Sequence, residues 1–272
     1  MFKKSIKNYL SKSIMPRLID HDTGFEVKEN DIFIASYPKS GNTWMRFLLA
    51  NLIYSKQRID FANIEDFIVD IYKRKNNEIK RNNDINIFKT HSYFRPKFTK
   101  YKSNKVVYIV RDVRDVIISY YQYVQKRKNT SIEFNDFYNQ FLAGDIDNYG
   151  TWGENVGSWL GASKGNSNFL LIKYEDMLED IYSEMIKVCD FLDLNVNKSE
   201  LTMAIEKSSF DNLQKSEVEV QNKAEELKNT NQNIKFFRSG KKGQWNDYLT
   251  KKQIEILESQ YSNLLKKLGY IQ

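Results

Sequence analysis

Short apolar runs alternate with helical patterns along most of the chain. Residues 32–35 (Ile-Phe-Ile-Ala), 85–89, 106–110 (Val-Val-Tyr-Ile-Val) and 169–172 (Phe-Leu-Leu-Ile) are compact and bounded by polar positions, which predicts buried strands. Apolar residues then recur at helical spacing: Trp44, Phe47, Leu48, Leu49, Leu52 and Ile53 after the first run, and residues 112–124 after the third. After the fourth, one helix is predicted through Met177, Ile181, Met185, Val188 and Leu192. Strands alternating with helices imply βαβ units, hence an α/β fold with a central, mainly parallel sheet covered on both faces. No internal repeat is visible, and the pattern reads as one domain over residues 1–272.

Two polar stretches interrupt the pattern. Residues 73–83 are rich in Lys, Arg and Asn and predict a surface loop. Residues 215–235 are longer, rich in Glu, Lys, Asn and Gln, with few apolar anchors. They predict a mobile solvated loop or a lid that orders over a ligand.

Composition narrows the class. The chain has 272 residues, enough for a substantial core, and its 17 Tyr, 17 Phe and 4 Trp carry too much aromatic area for a disordered chain. With 3 Pro and 11 Gly it is not collagen-like or of Pro/Gly-rich low complexity. The lone Cys189 excludes an internal disulfide and any Cys-based zinc pattern, and reads as helix packing in a reduced, cytoplasmic protein. Net charge +7 asks for an anionic partner. No apolar run is long enough to span a bilayer. The basic N-terminal segment, residues 1–28, lacks a signal-peptide core and reads as a solvated tail or a membrane-surface helix, which keeps peripheral membrane contact open.

Three segments carry candidate chemistry. Residues 37–44, Tyr-Pro-Lys-Ser-Gly-Asn-Thr-Trp, lie between the first strand and its helix. Gly41 allows close backbone approach to an anion, the helix offers unpaired N–H groups, and Lys39, Ser40, Asn42 and Thr43 add donors. The segment is not GxxxxGK[ST], and its spacing alone fits an anion loop and an ordinary capped helix equally. The second segment, residues 111–121, follows the third strand; Arg111 stands at the crevice where α/β proteins bind ligands, with Ser119 about two turns into the helix. Arg114 with Asp112 or Asp115 reads alternatively as a surface ion pair. The third, residues 236–245 (Phe-Phe-Arg-Ser-Gly-Lys-Lys-Gly-Gln-Trp), fits a phosphate clamp, a nucleic-acid patch or a solvated charge run.

Together, in this order, the three segments resemble those of the PAPS-dependent sulfotransferase family (PAPS, 3′-phosphoadenosine 5′-phosphosulfate), most closely its soluble cytosolic-type members. The resemblance implies a P-loop-like three-layer α/β fold, PAPS as co-substrate and PAP (3′,5′-bisphosphoadenosine) as product, with no metal. It implies that Lys39, Ser40, Gly41, Asn42, Thr43 and Trp44 take the 5′-phosphosulfate, with the Trp44 ring beside the adenine. Arg111 and Ser119, joined by Arg238, Ser239 and Gly240, would hold the 3′-phosphate. Tyr174, Ser208 and Phe210 would surround the base. His91 follows Lys89-Thr90, as the family's catalytic histidine follows Lys-Thr, and so would take the proton of an acceptor alcohol or phenol in line with the leaving group. Lys39 and Lys89 would stabilise the charge that develops. The other histidine, His21, sits in a polar, turn-like setting and reads as structural.

The chain departs from the family pattern at four places. Asn42 replaces a threonine but keeps an amide donor. Ser239 replaces a lysine, with Lys241 or Lys242 as candidate compensation. Gln244 replaces an aspartate. The family's Lys-x-x-x-Thr-Val-x-x-x-Glu dimerisation segment is absent near the C-terminus, leaving monomer and homodimer open. The acceptor is a small-molecule, lipid or sugar hydroxyl; Tyr93, Phe94, Tyr120, Tyr121, Tyr123, Tyr149 and Trp152 fit either an acceptor pocket or the core. A carbohydrate or glycolipid acceptor is the nearest alternative. A P-loop kinase should show a Gly-Lys-Ser/Thr end and a metal-holding acid, and neither is apparent. A nucleic-acid or membrane-surface module does not explain cations beside glycine turns at strand ends.

Overall fold

The structure, a computed structural model, describes residues 24–73, 79, 81, 85–127 and 132–272. Most of the N-terminal basic segment, His21 and most of residues 73–83 lie outside the described residues. Strands β1 (Asp31–Ser36), β2 (Val69–Asp70), β3 (Asn86–Thr90), β4 (Lys105–Val110) and β5 (Phe169–Lys173) form one sheet in the order β2-β3-β1-β4-β5. All four pairings are parallel, with Ile34 of the central strand opposite Lys89 on one side and Val107 on the other. The four strands read from the sequence are present. β2 is too short to leave a periodic signal.

Helix α1 (Asn42–Ile53) follows β1, α2 (Ile64–Phe67) precedes β2, and α3 (Val113–Arg127), α4 (Phe134–Ala143) and α5 (Trp152–Ala162) lie between β4 and β5. After β5 come α6 (Tyr174–Glu179), α7 (Ile181–Leu192), α8 (Lys198–Lys207), α9 (Phe210–Val220), α10 (Trp245–Tyr248), α11 (Lys251–Gln260) and α12 (Ser262–Lys267). The continuous apolar strands are explained by burial on both faces. Phe33, Ala35, Val106, Tyr108 and Val110 pack with Val116, Phe137, Phe141 and Trp159 of α3, α4 and α5. The alternate positions Ile32, Ile34, Val107 and Ile109 pack with Met45 and Leu48 of α1 and with Met185 and Val188 of α7. The strand period of two thus sorts one chain into three layers, the P-loop-like α/β architecture.

Two expectations change. The single helix through Met177 and Leu192 is two, because Asp180 leaves helical geometry (φ −147, ψ 81) and its carboxylate accepts from Ser183 N at 3.0 Å, starting α7 afresh. Residues 215–235 are not wholly a loop: the first six belong to α9, and Val220, Ala224 and Leu227 are buried. The segment is tied to the end of α3, where Lys126, 2% exposed, pairs with Glu217 at 3.2 Å and donates to Ile234 O at 2.6 Å.

Trp159 of α5 links this packing to the site. It is fully buried, stacks on Tyr108 and Phe98, and donates from Nε1 to Ser92 O at 2.9 Å, beside His91. Trp159→Ala is expected to cost about 3–5 kcal/mol of stability, measured as a lowered denaturant midpoint. Trp159→Phe, which removes the hydrogen bond but keeps most of the ring, should cost only about 1–2 kcal/mol.

Candidate active site

Because every pairing is parallel, all five strands end on the same edge of the sheet, and the segments that leave them converge there. Lys39 follows β1, Asp70 ends β2, Lys89 and His91 straddle the end of β3, Arg111 follows β4 and Tyr174 follows β5. These residues line one cavity of about 1150 Å³.

The turn out of β1 uses two left-handed residues, Lys39 (φ 67) and Gly41 (φ 104). A Cβ at Gly41 would lie 2.6 Å from Tyr174 Cδ2, so only glycine admits the Tyr174 ring here. α1 starts at Gly41 with no side-chain cap and no acid in its first turn, so that turn's amides remain available to an anion. Ser40 is 1% exposed and its Oγ has no partner. Asn42 faces inward: its Nδ2 donates to Ile34 O at 3.1 Å and Ser36 Oγ at 3.3 Å. The amide that replaces threonine therefore closes the turn, and the anion-facing donor at this position is the backbone.

Lys39 Nζ lies 4.3 Å from the ring centres of both Tyr123 and Phe236. Burial, reinforced by the nearby Arg111 guanidinium, pushes its ammonium down to about 7. Arg111 is 6% exposed. Its guanidinium donates to Lys39 O and Lys241 O, both at 3.3 Å, and lies over Tyr174 at 4.3 Å, while its Nε has no partner. Two buried donors, Ser40 Oγ and Arg111 Nε, thus stand unsatisfied beside a desolvated cation, an arrangement that bound anionic oxygens would complete.

His91 follows the end of β3, beside the end of β1. Its Nδ1 is 2.8 Å from Ser36 O, and a carbonyl can only accept, so Nδ1 carries the proton and Nε2 holds a free lone pair. Burial, with Lys89 acting in the same direction, lowers the imidazole pKa well below its usual value; Asp70 opposes this. Asn155 Nδ2 donates to the His91 carbonyl at 2.8 Å and fixes the backbone. Lys89 Nζ donates to Asp70 Oδ2 at 2.5 Å. Asp70, although buried, is held at about 2 chiefly by that lysine.

The remaining expected positions divide. Thr43, Trp44, Ser119, Phe210, Arg238, Ser239 and Gly240 line the same cavity. Trp44 stands edge-on to Tyr174, and Gly240 (φ 58) admits the Phe210 ring. Ser208 does not line the cavity: it is fully buried behind Trp44, accepting from Trp44 Nε1 at 3.0 Å on its carbonyl and from Asn51 on its hydroxyl. Lys241 and Lys242 are exposed and outside the lining, and Lys242 pairs with Glu179. Arg114 is not on the surface; it is 7% exposed, held by Asp112 and Glu258 at 2.6 Å each, and stacks on Trp245. Asp115 instead anchors the late loop, accepting from Gly243 N at 2.7 Å and Trp245 N at 3.2 Å.

Tyr93, Tyr120, Tyr123 and Tyr149 face the cavity, whereas Phe94, Tyr121 and Trp152 belong to the core. Sequence reasoning missed Asp70, Tyr72, Lys73 and Glu226. Asp70 sits in the unread strand, and Tyr72 and Lys73 follow it. Glu226 gave no local signal; it reaches Lys73 only through tertiary folding.

A parallel α/β protein that gathers a glycine turn, a buried arginine and a neutral histidine at its strand ends is an enzyme-like binder of polyanions. Residues 29–269 match the family described as the sulfotransferase domain, and the chain belongs to that family: it is a PAPS-dependent sulfotransferase. It is 30% identical to flavonol 3-sulfotransferase of Flaveria bidentis, over 94% of this chain and 88% of that one. It is also 30% identical to 3-beta-hydroxysteroid sulfotransferase of Cavia porcellus, over 90% and 86%. The crystal structure of mouse sulfotransferase SULT7A1 complexed with PAP is similar at TM-score 0.71 and 27% identity, covering 90% of this chain and 87% of that one.

Proposed function

We propose that the enzyme holds the 5′-phosphosulfate of PAPS on Lys39, Ser40, Gly41, Asn42, Thr43 and Trp44, and the 3′-phosphate on Arg111, Ser119, Arg238, Ser239 and Gly240. Trp44, Tyr174 and Phe210 surround the adenine, with Ser208 fixing Trp44 from behind. His91 acts as general base on the hydroxyl of a small alcohol or phenol. The observation that carries this reading is the unsatisfied buried donor Arg111 Nε in one cavity with Lys39 and His91, with a second unsatisfied donor, Ser40 Oγ, buried in the turn whose neighbours Lys39 and Gly41 line that cavity.

Bound PAPS supplies the sulfuryl group, with PAP as the leaving molecule. Lys39 places a cation where negative charge grows on the leaving phosphate, and the first-turn amides of α1 add fixed dipoles. His91 Nε2 takes the acceptor proton, and the Nδ1–H bond to Ser36 O holds the ring in the tautomer that can do so. Lys89 stabilises charge on the transferring group while Asp70 holds its ammonium in place. Tyr72, Tyr93 and Tyr149, around His91, favour a flat aromatic or polycyclic acceptor. Two relatives are named for flavonol and 3β-hydroxysteroid acceptors, which supports that class over a long carbohydrate. We further read the chain as a single cytoplasmic domain, a reading supported by a relative named as a cytosolic sulfotransferase.

The acceptor reading is tested with radiolabelled PAPS against simple phenols, flavonols, 3β-hydroxysteroids and oligosaccharides. Transfer to the flat acceptors is expected, and transfer to oligosaccharides alone would refute it. Gly41→Ala is expected to weaken PAP binding by at least about tenfold, because the left-handed turn and the Tyr174 ring cannot both be kept. The far-ultraviolet circular dichroism should stay native, which separates a local defect from misfolding.

A further inference from the structure

Lys39 has an unusual resting partner for a partly buried cation. Its ammonium lies 4.3 Å from the centres of two rings, Tyr123 and Phe236, which themselves meet nearly perpendicular at 5.9 Å. Each ring is independently held. Tyr123 sits on α3 one turn beyond Ser119, and its hydroxyl accepts from Arg127 at 3.1 Å. Phe236 opens the segment that carries Arg238, and its backbone N donates to Glu217 Oε1 at 2.6 Å. Glu217 is fixed in turn by the buried Lys126. The clamp therefore joins the first and third motif segments to the helix that carries the second at one atom, Lys39 Nζ.

We propose that Tyr123 and Phe236 are positioning residues for Lys39: their faces keep its ammonium charged and in place inside a cavity where no carboxylate pairs with it directly among the described residues. This rests on Lys39 being the cation for the leaving group. The charges that face Lys39 come from four elements. Arg111 beyond β4 and Lys89 on β3 disfavour its proton; Glu217 on α9 and Glu226 beyond α9 favour it. The rings add to the second pair without introducing a charge that would repel an incoming polyanion. That is the advantage of quadrupoles over carboxylates at this position.

The test replaces Phe236 by mono-, di- and trifluorophenylalanine, which keep the shape of the ring while draining its face, in the free full-length enzyme. The readout is the pH midpoint for acylation of Lys39, followed by mass spectrometry of the peptide that contains it. The midpoint is expected to fall stepwise, by about one pH unit at the trifluoro stage, a tenfold change in the protonation equilibrium. Tyr123→Phe, which keeps the ring and loses the hydroxyl, should leave it unchanged. A midpoint that ignores fluorination, or that moves as far in Tyr123→Phe, would overturn the clamp. The assay contains no PAPS, so its failure is distinct from a failure of the role of Lys39, which the turnover of Lys39→Met reports.

Discussion

His91→Ala is expected to lower turnover by about 10²–10⁴-fold while leaving PAP affinity nearly intact. The separation follows from the geometry. The His91 ring bonds to Ser36 O, its carbonyl accepts from Asn155, and neither Ser40 Oγ nor Arg111 Nε is bonded to it, so its loss removes a base without unpairing the anion donors. The pH profile gives a second check. The neutral imidazole is the active form, so activity is present above its pKa and lost as pH falls through it. Burial lowers that pKa well below the usual 6.5. The acid limb of kcat/KM should therefore lie well below pH 6.5 and disappear in His91→Ala. An acid limb at or above 6.5, or retained turnover in the variant, would remove His91 from the mechanism.

Lys39→Met should lower kcat by about 10²–10³-fold, since it deletes a preorganised cation at the site of charge development. Here too the sign of the pH effect is fixed. Lys39 is useful as the ammonium and is pushed down to about 7 in the free enzyme. PAP affinity should fall as pH rises above 7, and near pH 8 binding should be accompanied by proton uptake, because the bound anion favours the charged lysine. Calorimetry in buffers of different ionisation enthalpy measures that uptake. Lys39→Met should show weaker, pH-independent binding across this range. Equal proton uptake in wild type and variant would assign the titration to another group.

Much of this architecture was legible because burial on both sheet faces writes continuous apolar runs into β1, β4 and β5, with a shorter Ile87-Phe88 signal in β3, and the motif residues follow those strands directly. Other features were legible only in retrospect. Thr151 and Glu154 form a capping box that announces α5, a signal carried by two side chains rather than by periodicity. Asp180 reads as one more polar position in a helical stripe until its cap to Ser183 is seen. The ion pair of Asp70 with Lys89 joins a two-residue strand to its neighbour, and no local pattern encodes a contact made across a sheet. The same holds for Lys126 and Glu217, which turn a polar, loop-like stretch into packed structure by neutralising each other out of water. Ser208 shows the converse: its position in a motif places it near the base-binding side, but only the structure shows that its hydroxyl and carbonyl are occupied by Asn51 and Trp44.

The central claim is that the strand-end cavity is built for an adenosine bisphosphate whose anionic groups are met by side chains and backbone amides. Calorimetric titration of the wild-type enzyme with PAP, with and without EDTA and with ATP as the control, tests it most directly. The account predicts tight PAP binding that is unchanged by EDTA and far exceeds ATP binding. Absence of PAP binding, or ATP binding that depends on a divalent metal, would contradict it.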